Sequence, residues 1–168
     1  MYKDFEKFNF LLKDNIILIF DRICDPRNLG SCLRTAFSFG INKIILSKYY
    51  TCPINNSVLR SSSGYSKNIN IIIIKNLNKF IKYLKYNYYY IIGTYLNTNN
   101  YIYNFNYNNY KNIVIIIGSE STGISKKIIK KCDLLIKIPM KNNVDSINLS
   151  VATGIILYEI IIKQNKKI

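Results

Sequence analysis

The sequence predicts an α/β fold, a parallel sheet of about six strands with helices on both faces. Three observations carry that expectation. Six short runs of isoleucine, valine, leucine and tyrosine are apolar at successive positions, as strands buried on both faces are. Segments with helical spacing of apolar residues alternate with those runs. The 168 residues are enough for one domain with a sizeable core.

In chain order, "NIILIF" (Asn15–Phe20) is the first strand. A helix over Leu29–Phe39 follows, with residues 29, 32, 33, 36 and 37 on one apolar face and Ser31, Arg34, Thr35 and Ser38 on the other. Next come the strand "KIIL" (Lys43–Leu46), a helix near Ile54–Leu59, the strand "NIIII" (Asn70–Ile74) and a helix over Leu77–Lys85. The fourth strand is "YYIIG" (Tyr89–Gly93). The Asn/Tyr-rich tract Asn97–Asn112 reads as a low-complexity loop with room for a helical turn. The strands "IVIII" (Ile113–Ile117) and "LLIKI" (Leu134–Ile138) flank a helix over Ser125–Lys131. A last helix, Ser146–Lys163, carries two apolar stripes. Ile147, Val151, Ile155, Tyr158 and Ile162 form one; Leu149, Ala152, Ile156 and Ile160 form the other. Such a helix is expected to bury one side on its own sheet and the other on a second subunit.

Composition narrows the chemistry. No apolar run approaches the roughly 18 residues of a membrane helix, and "MYKDFEKFNF" is no signal peptide, so a cytoplasmic protein is expected. With 24 Lys+Arg against 9 Asp+Glu, the net charge of +15 is the footprint of a polyanion binder. Abundant Ile, Asn, Lys and Tyr would equally follow from an AT-rich coding sequence, and both readings stand. There is no histidine, which removes the commonest general base and metal ligand. Cys24, Cys32, Cys52 and Cys132 have no zinc-like or paired spacing and read as buried thiols; no metal is expected.

Three motifs stand at strand ends. In "DPRNLGSCLRTAFSFG" (Asp25–Gly40), Pro26 suits a helix start and Asn28 can cap it. Gly30 permits close approach of another backbone or a ligand, and Arg34 projects from the polar side. A solvated helix face with a surface arginine would give the same pattern. In "GSESTGIS" (Gly118–Ser125), Gly118 allows a tight turn, Glu120 lies just beyond it, and Gly123 and Ser125 read as a turn into a capped helix. As a purely structural group, Glu120 would sit at a helix N-terminus and favour its dipole. In "IPMKNNVDSINLSVATG" (Ile138–Gly154), Ser146, Asn148 and Ser150 can cap the final helix or hold a ligand. Neither G-x-x-x-x-G-K-[ST] nor G-x-G-x-x-G occurs.

Together and in this order, these motifs resemble those of the SpoU (TrmH-like) branch of the SPOUT α/β-knot RNA methyltransferases, from about Ile16 to Ile162. The likeness is greatest to bacterial enzymes that methylate a guanosine ribose 2′-OH of large-subunit rRNA; a related group acts on tRNA. The resemblance implies a C-terminal deep trefoil knot that forms the pocket for S-adenosylmethionine. It implies cofactor contacts at Gly118, Ile138 and Ile147, with Thr94, Met140 and Leu149 beside them, and places Asn28, Arg34, Glu120, Ser146 and Asn148 around the reacting ribose. It also implies a homodimer through the final helix. Two departures stand out: Lys141–Asp145 is bulkier than the family's small-residue loop, and no separate RNA-binding domain precedes the first motif. The expected organisation is therefore one domain over residues 1–168, with residues 1–14 a short extension. RNA capture then falls to the domain's own basic surface or a partner. A catalytically silent RNA-binding relative, or a nucleotide-binding α/β protein of another class, are the rival readings.

Methyl transfer from a sulfonium to a hydroxyl requires in-line alignment and removal of the hydroxyl proton. The resemblance assigns that proton to Arg34. Because arginine is effectively always protonated, a two-point hold on a substrate phosphate suits it better. Glu120 is the other candidate base, though fixing Asn28 or Arg34 is the more natural role for it.

Overall fold

The computed structural model describes residues 3–142, 144 and 146–164. Six strands form one sheet among them: β1 (Ile16–Asp21), β2 (Lys43–Ser47), β3 (Asn70–Ile74), β4 (Tyr90–Thr94), β5 (Ile113–Gly118) and β6 (Leu134–Ile136). Their order is β3-β2-β1-β5-β4-β6, and every pairing is parallel. The helices are α1 (Pro26–Ser38), α2 (Asn56–Ser61), α3 (Leu77–Tyr86), α4 (Lys126–Ile129) and α5 (Leu149–Gln164).

The successive apolar residues of each strand split between two cores, as the pleat requires. Leu18, Phe20, Ile44, Leu46, Ile113, Ile115 and Ile117 face α1 and α5. Ile17, Ile19, Ile45, Val114 and Ile116 face α3 and the segment leading into α4. A one-residue slip in any of these strands would exchange the two faces, and both are buried.

The first helix starts as its motif predicts, with one change of role. Asp25, rather than Asn28, is the N-cap: its carboxylate accepts from the Arg27 backbone N–H at 2.8 Å, and Pro26 opens the helix. The apolar face buries Leu29, Cys32, Leu33 and Ala36, and Gly40 ends the element at φ 79°. The close approach expected at Gly30 is to α2. A Cβ there would stand 2.0 Å from Ser61 Oγ and 2.6 Å from the Val58 carbonyl oxygen. Gly30→Ala is therefore expected to lower stability by about 1–3 kcal/mol. A chemical-denaturation midpoint equal to that of the parent would show that the α1–α2 contact yields freely.

Other boundaries move for identifiable reasons. Lys137 and Ile138 leave the sheet's edge, because the Lys137 backbone pairs with the 100–102 segment. The last helix begins at Leu149 and not Ser146, since Asn148 Oδ1 accepts from the Ser150 N–H at 2.9 Å and occupies the capping position. Ser125 precedes α4, yet its side chain makes no capping bond; its N–H is taken by Asp21 Oδ2 at 3.0 Å. The expectation of buried thiols fails at Cys24, which is exposed, while Cys32 is fully buried.

Two stretches with little motif content have structural roles. A 3-10 helix over Lys3–Lys13 packs Phe5 edge-on against Phe80 at 5.3 Å, and Leu11 is wholly buried. The Asn/Tyr tract holds two short 3-10 turns, Ile102–Asn104 and Tyr107–Asn109, and it buries Ile102 and Tyr107 against the α5 side of the sheet. Asn143 and Asp145, within the unusually polar Lys141–Asp145 loop, lie outside the described residues.

Candidate active site

The strand order creates the site. β1 and β5 are neighbours, yet the helix after β1 packs on one face and the segment after β5 packs on the other. The two connections therefore diverge at the strands' C-terminal ends, leaving a crevice of the kind in which α/β proteins bind ligands.

The second motif folds back on its own strand there. Gly118 pairs with Asp21 as the last rung of the β1–β5 ladder, and Gly123, at φ 59°, returns to bridge Ser119. A Cβ on Gly118 would lie 2.1 Å from the Gly123 carbonyl carbon, so the return is possible only over a glycine. Two residues that carried no motif signal hold this turn. Asp21, 3% exposed, accepts from the Ser125 N–H, and Arg22 Nη2 donates to the Gly123 carbonyl at 2.9 Å. A charged pair ending an apolar strand was the available signal.

The turn presents Glu120 to both other motifs. Its Oε2 accepts from Asn28 Nδ2 at 3.1 Å. Its Oε1 accepts from the Leu149 backbone N–H at 2.8 Å and from Asn148 Nδ2 at 3.5 Å. Asn148 Nδ2 also reaches Asn28 Oδ1 at 3.3 Å. Three side chains from three distant segments thus form a closed hydrogen-bonded triangle. Asn28 is free to join it because Asp25 does the capping, while Glu120 sits at the positive end of α5, where a carboxylate is favoured. Glu120 therefore fixes Asn28, one of the two roles expected of it, and makes no recorded bond to Arg34.

Behind the triangle lies a cavity of about 330 Å³. Gly118, Ile138, Ile147, Thr94, Met140 and Leu149, all six residues expected at a cofactor, line it together with Glu120 and Ser146. The sequence reading missed Asn97 and Ile102, from the Asn/Tyr tract, and Ile117 and Ile156. The wall is chiefly apolar; its polar residues include Thr94, Asn97, Ser119, Ser121, Thr122 and Ser146, with one acid, Glu120, and one base, Lys137. Among the described residues no three His, Cys, Asp or Glu side chains gather as metal ligands do.

Arg34 stands apart from this cluster. It is exposed on α1, six residues beyond Asn28, and its Nη1 donates to Ser63 Oγ at 2.9 Å. Ser63 itself has φ 52°. Cys32, beneath the same helix, is no nucleophile: burial pushes its thiol up to about 12, although the Thr153 hydroxyl donates to it at 3.6 Å.

A Staphylococcus aureus (strain MSSA476) protein, named for the TrmH family of tRNA/rRNA methyltransferases, is 36% identical over 174 aligned residues, covering 98% of this chain and 67% of its own. The 23S rRNA (guanosine-2'-O-)-methyltransferase RlmB of Blochmanniella floridana is 38% identical over 150 residues, or 88% of this chain and 58% of that protein. The solved structure of an AdoMet-bound rRNA methyltransferase from Sinorhizobium meliloti superposes with a TM-score of 0.79 at 29% identity, over 87% of this chain and 55% of the other. The chain thus spans between about half and two thirds of these relatives' lengths. The model of the SpoU rRNA Methylase family matches residues 15–158, so the Asn28–Glu120–Asn148 triangle and its cavity lie wholly within the match, and the chain belongs to that family.

Proposed function

We propose that this chain transfers a methyl group from S-adenosylmethionine to a ribose 2′-OH of structured RNA, with a guanosine of large-subunit rRNA as the target. The triangle of Asn28, Glu120 and Asn148 carries this reading, because it joins all three motifs and one of its members, Glu120, lines the cavity. The name of the Blochmanniella relative supports the choice of nucleotide and RNA.

The cavity's chemistry fits the cofactor. S-adenosylmethionine has an adenine that needs an apolar slot and a sulfonium cation but no phosphates, so a glycine-rich phosphate loop is not required. Ile117, Ile138, Leu149 and Ile156 provide apolar wall, and Gly118, Thr94, Lys137 and the Glu120 carboxylate line it with them. When bound, the group supplies an activated methyl, which removes any need for a nucleophilic side chain.

The chain's own residues then position and desolvate. Glu120 holds the Asn28 and Asn148 amides in one orientation and ties them to the start of α5. Ser146, exposed and beside Ile147 in the cavity lining, offers a hydroxyl there. Arg34, outside the triangle, is free to grip a phosphate of the target nucleotide through its planar fork and so align the hydroxyl. That phosphate hydrogen-bonds the 2′-OH, accepts its proton as the oxygen–methyl bond forms, and releases it to water.

Three structural statements belong to the same proposal. The segment after β6 threads a loop to make the trefoil knot, supported by its pairing with the 100–102 segment before it returns to α5. A second copy covers α5, supported by Val151, Ile155 and Tyr158, which are 52%, 39% and 56% exposed along one side of it. The enzyme works in the cytoplasm, where its RNA is, a reading supported by its bacterial rRNA-methyltransferase relatives.

Calorimetry should detect S-adenosylmethionine binding that a chelator leaves unchanged, and incorporation of tritiated methyl into rRNA should follow. Tighter binding of NAD or ATP, or binding abolished by chelator, would sink the reading; label in tRNA alone would move the substrate. Capture of RNA by the surface charge of this +15 chain should weaken steeply with salt, in a linear relation of log affinity to log salt. An affinity flat between low and physiological salt would assign the charge to composition.

A further inference from the structure

The loop after β2 presents two adjacent aromatic rings beside the first motif. Tyr49 and Tyr50 are 60% and 78% exposed, and Tyr50 is held at φ 62°, a left-handed conformation unfavourable for a bulky side chain. The loop does not adopt this conformation for want of restraint. Buried Ser47 accepts from the Arg22 N–H at 3.0 Å and lies 3.0 Å from the Thr51 hydroxyl. The Cys52 N–H donates to the Ile23 carbonyl at 2.9 Å, and the Cys24 thiol donates to the Tyr50 carbonyl at 3.1 Å. Residues 22–24 lead directly into Asp25 and α1, so the loop is pinned to the turn that places Asn28. Cations flank it: exposed Lys48 on one side, and on the first turn of α1 Arg27, whose side chain is 80% exposed and pairs with the Asp25 carboxylate at 3.3 Å.

Exposed rings with unfavourable backbone, rigidly pinned and bordered by positive charge, are poorly explained by folding stability. They suit a polyanion that carries flat aromatic groups. Resting on the functional reading above, we propose that Tyr49 and Tyr50 form a stacking platform for an unpaired RNA base next to the nucleotide whose ribose is modified. Stacking holds the strand open beside the first motif, and Lys48 takes one of its phosphates, joined by Arg27 as the phosphate replaces Asp25.

Composition alone offers a counter-explanation, and the structure contains its control. Tyr88 is 90% exposed and also has φ 62°, but it precedes β4 at the N-terminal edge of the parallel sheet, opposite the site. The chain has no tryptophan, so Tyr50→Trp introduces a single indole reporter. Its fluorescence should be quenched by oligoadenylate and unaffected by S-adenosylmethionine. Oligoadenylate and rRNA affinities should fall about tenfold in Tyr50→Ala. They should hold within about twofold in Tyr50→Phe and Tyr88→Ala. S-adenosylmethionine affinity should be unchanged in all of these variants. Parent-like RNA binding by Tyr50→Ala, an equal loss in Tyr88→Ala, or an unquenched indole at saturating RNA overturns the platform. So does a changed oligomeric state in Tyr50→Ala, which would make the rings a protein contact. Failure of the parent itself to bind any RNA would instead overturn the functional reading on which the platform rests.

Discussion

Arg34→Ala is expected to lower methyl incorporation under single-turnover conditions by at least about a hundredfold, the loss typical of a transition-state contact. Stability should change by no more than about 0.5 kcal/mol, because Arg34 is exposed and its recorded bond is to one surface hydroxyl, Ser63. S-adenosylmethionine affinity should hold within about twofold, since Arg34 is not among the residues that line the cavity. Arg34→Lys should not restore activity: an ammonium is a point charge and cannot reproduce a planar two-point grip. Separate measurements of chemistry and cofactor binding decide the matter. Wild-type incorporation by Arg34→Ala would remove this residue from the reaction and return α1's polar face to ordinary surface.

Glu120 should behave differently, because it connects elements as well as facing the site. Glu120→Ala removes the acceptor of the Leu149 N–H and leaves the Asn28 and Asn148 amides without their shared partner. Loss of the helix-end bond alone should cost about 1 kcal/mol. Methyl transfer should fall at least about tenfold, from loosened positioning of both asparagines. Glu120→Gln separates the two effects. Its carbonyl oxygen can still cap α5 from the Oε1 position, but the amide nitrogen that then stands at the Oε2 position donates and cannot accept from Asn28 Nδ2. Stability should then stay close to the parent while activity falls nearly as far as in the alanine variant. If Gln and Ala lose stability and activity in the same proportion, Glu120 acts only as a cap.

Much of the fold was legible because it is written locally. Runs such as Ile113–Ile117 can bury every residue only between two layers, and the pleat then divides them between two cores. The opening of α1 was also readable, apart from a choice between two capping side chains. Asp25 takes the cap because it immediately precedes Pro26, and this leaves Asn28, one turn in, to point at the crevice. The 3-10 helix over Lys3–Lys13 lay outside the expected elements although Phe5, Phe8 and Leu11 recur every three residues, because 3-10 runs of this length are uncommon. The contribution of the Asn/Tyr tract was hidden by its composition: Ile102 and Tyr107 are buried by what packs over them, and no local pattern marks them.

By itself, then, the sequence determined the layer architecture, the element order and the identity of the three motifs, since spacing and side-chain type encode these over a few residues. The family resemblance supplied the candidate residue set, and the six positions it implies for a cofactor all line one cavity. Only the tertiary structure decided how that set is joined. Glu120 meets Asn28 across 92 positions, and Asn148 meets Asn28 across 120. The placement of β5 between β1 and β4, which brings those segments together, is a choice among strand orders that all share one hydrophobic pattern. Tertiary structure likewise separated Arg34 from the triangle and assigned Asp21 and Arg22 to the Gly118–Ser125 turn. The reason is physical: hydrophobic periodicity specifies which face of an element is buried, whereas hydrogen-bond partners depend on which elements become neighbours, a long-range outcome of packing the whole chain.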